Sequence, residues 1–262
     1  MKAKILLSLR FFAGAVVIVA LGWTSYATVR YLRTSSRFEV RRLVPQGLKH
    51  VTETQVLAAA GGDGFEMGMN VFAVDLDGVR ARIEELRWVR HALVERILPD
   101  QITIKIVERE PVGLARVNGE TRRFDIEGVL LEAPEADEDF SFPVLDGMRL
   151  DDPEGNRGRA ETYMRTLSEL GAVGLSEVRI AENGGNVYVV ANNDPMLVNL
   201  GSEDFRARWV RYQRLKAEIR RQYPEAAMVD LRFRDQVVIR MTADGDGSSG
   251  KVKWRSEKRN AL

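Results

Sequence analysis

The feature that most constrains this chain is a long uncharged stretch close to its N-terminus. Residues 11–29, FFAGAVVIVALGWTSYATV, contain no acidic or basic side chain, and basic residues flank the stretch on both sides. A helix needs about 20 apolar residues to cross the hydrocarbon core of a bilayer. The sequence therefore predicts a transmembrane helix over residues 11–32, between a cytoplasmic N-terminus at 1–10 and a linker at 33–37.

Two other interpretations compete for this stretch. A helix of a soluble protein would show polar residues recurring at helical spacing, and none recur here. A cleaved signal peptide stays open, because residues 11–23 form a short apolar region and the small residues Ser25 and Ala27 follow it. The flanking charges are balanced and do not orient the helix. A long folded region after a short basic N-terminus is normally translocated, so we expect the rest of the chain to lie outside the cytoplasm.

Composition limits the kinds of function that the remaining residues can have. With 262 residues, 45% of them hydrophobic, the chain has room for two small domains. The 39 basic and 38 acidic side chains are mixed along the sequence, so no overall field attracts a nucleic acid. The absence of cysteine excludes thiol catalysis, disulfides and cysteine-based zinc sites, and it fits an oxidising compartment. His50 and His91 are too isolated for most metal or triad chemistry.

Residues 38–111 predict a domain with the order β-α-α-β-β. FEVRRLVPQG, from residue 38, alternates as a strand does, and Thr52 with Gln55 three positions later is typical of a capping box that starts a short helix. Asp75 can cap a second helix, whose apolar residues recur at spacings of three and four. The segments VRHALVER and QITIKIVER then predict two strands joined by a turn at residues 98–100.

Residues 112–241 predict a mainly antiparallel β domain with two helices. Asn118-Gly119 is a strong hairpin signal, and residues 112–131 predict a three-stranded meander. Helical faces follow at residues 159–170 and 203–222, with short strands between them and a final hairpin of MVDLRF and VVIRM. Residues 242–262 are rich in glycine, serine and charge, which predicts a disordered tail. The fold class is therefore α+β.

No residue pattern predicts catalysis, a cofactor or a metal site. Fragments of a calcium loop at residues 75–78 and 244–247 lack the closing acidic residue, so a helix cap and a flexible tail explain them better. Glu108, Glu110 and the acidic run at 132–139 are expected to be solvated, with nothing to separate their protonation states. The arginines of the second predicted helix are expected to form a solvated face, with contact to anionic lipid or to a partner as the alternative.

What remains is a surface for other proteins. The strand VVIRM lies just before the predicted tail, which places it at or near the edge of a sheet. An edge with unpaired backbone groups can accept a strand from a partner. The alternative is an ordinary strand covered by the rest of the fold.

Several segments together resemble the FtsQ/DivIB family of bacterial cell-division proteins. They are FEVRRLVPQGLKHVTETQV, LRWVRHALVERILPDQITIKIVEREPVG, FDIEGVLL, FPVLDG and MVDLRFRDQVVIRM. The ordered run of Trp-Val, Arg, Pro and Glu-Arg-x-Pro is specific, and the resemblance extends from the membrane stretch to Met241. It implies a polypeptide-transport-associated (POTRA) domain at 38–111 and the β domain of that family at 112–241.

The resemblance also implies a function. Members of the family are non-enzymatic, single-pass inner-membrane proteins with the N-terminus in the cytoplasm and the C-terminal domain in the periplasm. They are recruited to the division septum, where they scaffold FtsB and FtsL and so regulate septal peptidoglycan synthesis. Neither a cofactor nor a small-molecule substrate is implied.

Two surfaces follow from the resemblance. The second strand of the POTRA domain implies a recruitment surface at His91, Val94 and Arg96. The terminal hairpin implies an FtsB-binding surface at Phe233, Val237, Ile239 and Met241. Backbone pairing with a few apolar anchors is a plausible mechanism for that surface. The chain departs from the family here, because the turn RDQ lacks the glycine common in that hairpin and Met241 stands where an aromatic residue can occur.

Two other classes of function stay open from the sequence. A POTRA-bearing export or assembly factor would bind many extended polypeptides along a strand edge rather than one partner. An envelope enzyme or lipid-binding protein would need a pocket with convergent polar groups, and the sequence indicates none.

Overall fold

The computed structural model describes residues 2–134, 142–172, 174–181, 185–241 and 251–254, with the backbone alone at 2–11, 13 and 251–254. The chain divides between Arg109 and Glu110 into two compact units. Unit 1 contains the membrane stretch and the residues predicted as the POTRA domain. Unit 2 contains the residues predicted as the β domain, and the division falls two residues before the boundary that the sequence predicts.

Unit 1 begins with helix α1, Lys2–Thr34. Among the described residues, its segment Gly14–Thr34 is the one stretch of helix long and apolar enough to cross a membrane, and none of that stretch is buried inside the protein. Twenty-one helical residues span about 31 Å, which matches the hydrocarbon thickness of a bilayer. The connection predicted as a linker is short and ordered, because α1 runs to Thr34 and a single 3-10 turn, Ser36–Phe38, follows it.

The rest of unit 1 has the predicted β-α-α-β-β order. Its elements are β1 (Arg42–Gln46), α2 (Glu53–Ala60), α3 (Leu76–Glu84), β2 (Val89–Ile97) and β3 (Gln101–Glu108). Strand β3 lies in the middle of the sheet, parallel to β1 and antiparallel to β2. Strand β1 starts four residues later than predicted, because Phe38 lies in the 3-10 turn and packs on Phe72 with ring centres 5.4 Å apart.

Local signals set the helices of unit 1. Thr52 and Gln55 form the predicted capping box at the start of α2, and the Asp75 side chain accepts a hydrogen bond from the Gly78 amide at the start of α3. The helices bury one face of the sheet, with the isoleucines of β3 at the centre of the core. The opposite face carries exposed apolar side chains, among them Ile97 and Val107.

Unit 2 is one large sheet with two helices. Its elements are β4 (Pro111–Val117), β5 (Glu120–Asp125), β6 (Val144–Asp146), α4 (Pro153–Leu170), β7 (Leu175–Ile180), β8 (Val187–Ala191), β9 (Asp194–Gly201), α5 (Phe205–Gln222), β10 (Ala226–Asp230), β11 (Val237–Met241) and β12 (Lys251–Trp254). The strand order is β5-β4-β6-β7-β8-β9-β10-β11-β12. Neighbours are antiparallel except for β4–β6, β6–β7 and β9–β10, which confirms a mainly antiparallel α+β domain.

Two glycines make the start of unit 2 possible. Gly119 and Asn118 both have positive φ in the two-residue turn between β4 and β5, the geometry that the Asn-Gly signal predicts. At Gly113, an added Cβ would lie 2.7 Å from the ring of Phe124, so only glycine lets that ring pack against β4. The third strand of the predicted meander is reduced to a single bridge, and β6 takes the place beside β4 instead.

Part of the segment predicted as a disordered tail is a strand. The backbone of β12 pairs antiparallel with β11, with Val237 opposite Trp254 and Arg240 opposite Lys251. The physical reason is that the outer edge of β11 offers unpaired backbone groups, and the sequence KVKW places valine and tryptophan at alternate positions, as strands do. The rest of residues 242–262 lies outside the described residues.

Candidate functional site

The sequence-predicted partner site lies at the β10–β11 end of the unit 2 sheet. Phe233, in the connection between these strands, keeps 40% of its surface exposed. Its carbonyl accepts a hydrogen bond of 2.7 Å from Nη1 of Arg211, on α5. The guanidinium carbon of Arg232 lies 5.7 Å from the centre of the Phe233 ring. The loop is therefore tied to α5 while the ring stays open to solvent.

A cavity of about 280 Å³ adjoins Phe233. Its lining comes from the start of α5 and from the β10–β11 connection: Glu203, Asp204, Ala207, Arg208, Arg211, Leu231, Arg232, Phe233 and Arg234. Four arginines face two acidic residues there, so the formal charge of the lining is positive. An exposed aromatic ring beside guanidinium groups suits a partner segment that combines an apolar side chain with carboxylates.

Asp230 fixes one of these arginines. Its carboxylate accepts hydrogen bonds from Nε of Arg232 at 3.0 Å and from Nη2 at 2.7 Å. These bonds raise the pKa of the Arg232 guanidinium above its ordinary value, so the charge is permanent. Sequence reasoning placed Arg208 and Arg211 on a solvated face and did not single out Arg232 or Arg234. The sequence signal that could have identified these two arginines is the triplet Arg-Phe-Arg around Phe233.

The other predicted anchors face inward. Val237 and Ile239 are fully buried in the unit 2 core, and Met241 is half-buried and packs against that core. Their side chains pack in or against the core, and the expectation that they meet a partner stays a prediction. The alternation of residues in β11 indicates this burial. Arg240 lies between Ile239 and Met241 and therefore points to the face opposite the core.

The outer edge of β11 can bind another strand through its backbone amides and carbonyls rather than through these side chains. In the structure β12 occupies that outer edge over four register pairs, so β12 and not β11 is the last strand of the sheet. The prediction of an edge strand at residues 237–241 is thus modified. The edge accepts an added antiparallel strand, and a segment of the same chain fills it.

A buried carboxylate positions α5 behind the site. Asp194, at the start of β9, accepts a 2.5 Å hydrogen bond from the Tyr212 hydroxyl and lies 3.0 Å from Nζ of Lys216. Arg220 also donates to it. Burial alone raises the pKa of Asp194, but the hydrogen bonds from Tyr212, Arg220 and Lys216 outweigh it and lower the pKa to about 2. Three residues of α5 are thereby held to one end of β9.

The predicted recruitment residues do not form one exposed surface. His91 is exposed, with Nδ1 2.8 Å from Oε1 of Glu84. Val94 is only 8% exposed and belongs to the core of unit 1. Arg96 donates through Nε to the Val71 carbonyl at 2.8 Å, so it also supports the fold. The exposed face of β2 is instead formed by residues such as Leu93 and Ile97.

Glu108 is buried, not solvated as the sequence suggested. Its side chain is 3% exposed and accepts hydrogen bonds from the amides of Lys49, His50 and Val51, at distances between 2.7 and 3.0 Å. Burial raises the pKa of Glu108, while these three amides and the His50 ring lower it, and the net pKa lies below the ordinary value. The first acid of the Glu-Arg-Glu-Pro motif therefore anchors the β1–α2 connection.

The other acidic residues considered from the sequence as metal ligands or paired carboxylates form no site in the described residues. Asp75 caps α3, and residues 244–247 and the acidic residues 135–139 lie outside the described residues. Within the part of the chain that the structure describes, no group of three or more histidine, aspartate or glutamate side chains is arranged to hold a metal ion.

Both units are similar to known protein families. Residues 38–109 match the family described as POTRA domain, FtsQ-type, and residues 113–232 match the family described as Cell division protein FtsQ/DivIB, C-terminal. The second match ends before Phe233, so Phe233 and strand β11 lie beyond its boundary, whereas most of the cavity lining lies inside it.

Several curated relatives carry the description Cell division protein FtsQ. The relative from Koribacter versatilis is 34% identical over 235 residues, covering 85% of this chain and 67% of its own. The relative from Geotalea daltonii is 24% identical over 241 residues, with 87% and 84% covered. The major extracytoplasmic domain of the cell-division protein DivIB from Geobacillus stearothermophilus is 20% identical, covers 44% of this chain and 97% of its own, and has a TM-score of 0.29.

Proposed function

Because the chain belongs to the FtsQ/DivIB family of bacterial cell-division proteins, we propose that it scaffolds divisome assembly at the septum. It is a single-pass membrane protein through α1. The N-terminus lies in the cytoplasm of the cell and both folded units lie in the periplasm. There the protein binds FtsB and FtsL and helps control septal peptidoglycan synthesis without catalytic chemistry of its own.

The outer edge of β11 is the surface for FtsB. The observation that carries this proposal is the antiparallel pairing of β12 with residues 237–240 of β11, which supports strand addition at this edge. An extended segment of FtsB takes the place of β12. Backbone hydrogen bonds supply most of the attraction, and the buried Val237 and Ile239 keep the strand flat and in register.

Phe233 supplies the side-chain anchor for this added strand. Its exposed ring lies four positions before the first residue of β11, and the arginines around the adjoining cavity favour a partner segment with acidic residues. Arg211 and Arg232 are already held in place, which lowers the entropy cost of binding a carboxylate. A central aromatic residue with ordered arginines is the composition of an interface hot spot.

Recruitment uses strand β2 of unit 1. Among the described residues, β2 pairs with β3 alone, so its other edge carries no strand, although the Ala92 amide donates to Oε1 of Glu84. His91 and the neighbouring Leu93 are the exposed contacts on this strand. Val94 and Arg96 contribute by holding the strand in place, because one lies in the core and the other is bonded to the Val71 carbonyl.

The direct test is capture of FtsB by the full chain in detergent, comparing Phe233→Ala with Phe142→Ala. Phe142 is a matched control because it is also 40% exposed and lies before β6, far from β11 in the strand order. We expect the Phe233 variant to weaken binding by roughly 2 kcal/mol, about 30-fold in Kd, and the Phe142 variant to bind as wild type. Equal capture by both variants would contradict the anchor.

A second candidate function is general capture of extended polypeptides by unit 1, as in an export factor. A cavity of about 710 Å³ supports it, because it lies along the edge strand β1 and has a largely apolar lining: Arg41, Arg42, Leu43, Val44, Leu57, Gly61, Gly62, Phe65, Glu66 and Met67. This function predicts saturable binding of many unrelated extended peptides to the full chain. Selective binding of FtsB alone would argue against it.

A further inference from the structure

The transmembrane helix is joined firmly to the folded part of unit 1. Nδ2 of Asn70 donates a 2.8 Å hydrogen bond to the carbonyl of Leu32, in the last turn of α1. The ring of Tyr31 lies edge-on to Phe38 at 6.2 Å, and Phe38 in turn contacts Phe72. Because the membrane-spanning segment ends at Thr34, this end of the fold must lie at the surface of the bilayer.

The β2–β3 turn lies at this same end. The carbonyl of Asp100 accepts hydrogen bonds from the amides of Arg41 and Arg42, the residues that begin β1. On the other side of the turn, Arg96 donates to the carbonyl of Val71, next to Phe72. The tip of the turn and the segment that contacts α1 therefore form one continuous surface.

This surface exposes apolar side chains, of which Phe72 also packs on Phe38. Phe72 is 38% exposed, Ile97 47% and Leu98 55%. Side chains of this kind at the level of lipid headgroups would bury apolar area in the outer part of the acyl region, as they do in interfacial proteins. Single exposed apolar residues are ordinary, but these three lie on two segments near the end of a membrane helix. Phe72 packs on Phe38, just after α1, while Ile97 and Leu98 lie at the turn whose Asp100 carbonyl is bonded to the start of β1.

The chain around this surface is strongly basic. Residues 30–42 contain five arginines, Arg30, Arg33, Arg37, Arg41 and Arg42, and one acid, Glu39. Arg42 pairs with Asp100 of the β2–β3 turn, with Nη2 3.0 Å from Oδ1, so its charge is partly neutralised within the fold. All five arginines are exposed. Each basic residue close to an anionic bilayer contributes about 1 kcal/mol of attraction, and that attraction falls off within a Debye length.

From this juxtaposition we propose that the α1-proximal end of unit 1 binds the bilayer surface, with Phe72, Ile97 and Leu98 at headgroup level and the arginines on anionic headgroups. The occupant of the patch is the same membrane that α1 spans. The continuity between α1 and the patch favours lipid over a protein partner, since a partner would have to displace headgroups already beside Thr34. The proposal does not depend on FtsB binding.

The absence of cysteine from the sequence gives a clean test. The full chain with Ile97→Cys or Val107→Cys, each spin-labelled, is reconstituted into vesicles of phosphatidylcholine and phosphatidylglycerol. Both positions are exposed apolar residues on the helix-free face of the sheet. Ile97 pairs with Gln101, six residues before Val107 on β3, so the control lies about 20 Å along the strand from the turn that the proposal places on the bilayer.

We expect the label at residue 97 to be several-fold less accessible to a water-soluble nickel relaxant than the label at residue 107. Arg41→Glu should raise the accessibility at residue 97, whereas Arg87→Glu, an exposed arginine before β2, should leave it unchanged. Equal accessibility at residues 97 and 107 would overturn the proposal. Protection at 97 that is unaffected by Arg41→Glu would overturn the role of the arginines.

Discussion

At the scale of single residues, Asp194 is the clearest link between sequence and stability. Its side chain is 1% exposed and joins β9 to three residues of α5, the helix that also lines the Phe233 cavity. A change at this carboxylate should therefore affect both the stability of unit 2 and the order of the candidate site. Removing one member of a buried ionic cluster leaves the others without compensation.

Asp194→Asn should destabilise unit 2 by about 3 kcal/mol, because Lys216 and Arg220 lose their buried counter-charge. Urea unfolding followed by circular dichroism on the full chain in detergent measures this. Asp151→Asn is a suitable control, since Asp151 pairs with Arg149 in full exposure to solvent and should matter little. An equal effect of both substitutions would contradict the network.

The same network has a defined pH dependence. The pKa of Asp194 in the folded protein is about 2, below its ordinary value of 3.8, so its contribution to stability is fully present above that ordinary value. The contribution, about 2 kcal/mol, is lost as the pH falls toward 2. The stability difference between wild type and Asp194→Asn should therefore shrink between pH 4 and 2. A difference that stays constant over this window would contradict the lowered pKa.

Glu108→Gln should destabilise unit 1 by about 1–2 kcal/mol, because three backbone amides lose a charged acceptor. Hydrogen exchange at residues 49–51 would report the loss directly. Glu110→Gln, in the same motif but exposed, serves as the control and should leave exchange unchanged. Unchanged protection at residues 49–51 in the Glu108 variant would contradict its anchoring role.

Residue-level prediction from sequence succeeded where the cause is local. The caps at Thr52 and Asp75 and the turn at Asn118 depend on neighbours a few positions away, so the pattern predicts them. Glu108 could not be predicted, because its partners lie almost sixty positions earlier in the chain. A carboxylate in a charged motif is expected to be solvated until the fold brings three amides to it.

At the scale of elements, β12 is the feature with the most direct bearing on function. Strand β12 pairs with β11 over only four residues, so a partner strand has few backbone hydrogen bonds to displace. We expect deletion of residues 242–262 to lower the Kd for FtsB by about fivefold, since every molecule then offers the open edge of β11. Titration of FtsB against the full and shortened chains measures this.

The opposite result is equally informative. If binding is lost on deletion, the tail itself carries the contact, and the outer edge of β11 is not the site. The substitution Val252→Pro supplies a matched control, because it disrupts pairing of β12 opposite Ile239 while keeping the tail. It should raise affinity as the deletion does.

Helices and strands could be predicted from the sequence where the hydrophobic periodicity of neighbouring residues specifies them. Periodicity predicted the β-α-α-β-β order of unit 1, the two helices of unit 2 and the final hairpin. The parallel pairs β4–β6 and β9–β10 join strands that are separated by long connections, and no local signal specifies such neighbours. The position of β12 depends on the unpaired edge of β11, which exists only in the folded sheet.

At the scale of the whole molecule, the chain combines a membrane helix with two folded units, to which we assign different roles. Unit 1 is attached to α1 through Asn70 and Phe38, and unit 2 carries the edge that we assign to FtsB. The assignment of partner surfaces to these units rests on the resemblance and stays a prediction. The sequence could not show that Val237 and Ile239 are buried, because an apolar face of a strand serves a core and a partner equally well in a pattern.

The measurement that tests the central proposal most directly is hydrogen exchange of the chain shortened to residues 1–241, with and without FtsB. Strand β5 is the other edge of the same sheet and provides an internal control. We expect FtsB to slow exchange of the amides in Val237–Met241 while leaving those in Glu120–Asp125 unchanged. Binding of FtsB without added protection in β11, or with equal protection in β5, would contradict strand addition at this edge.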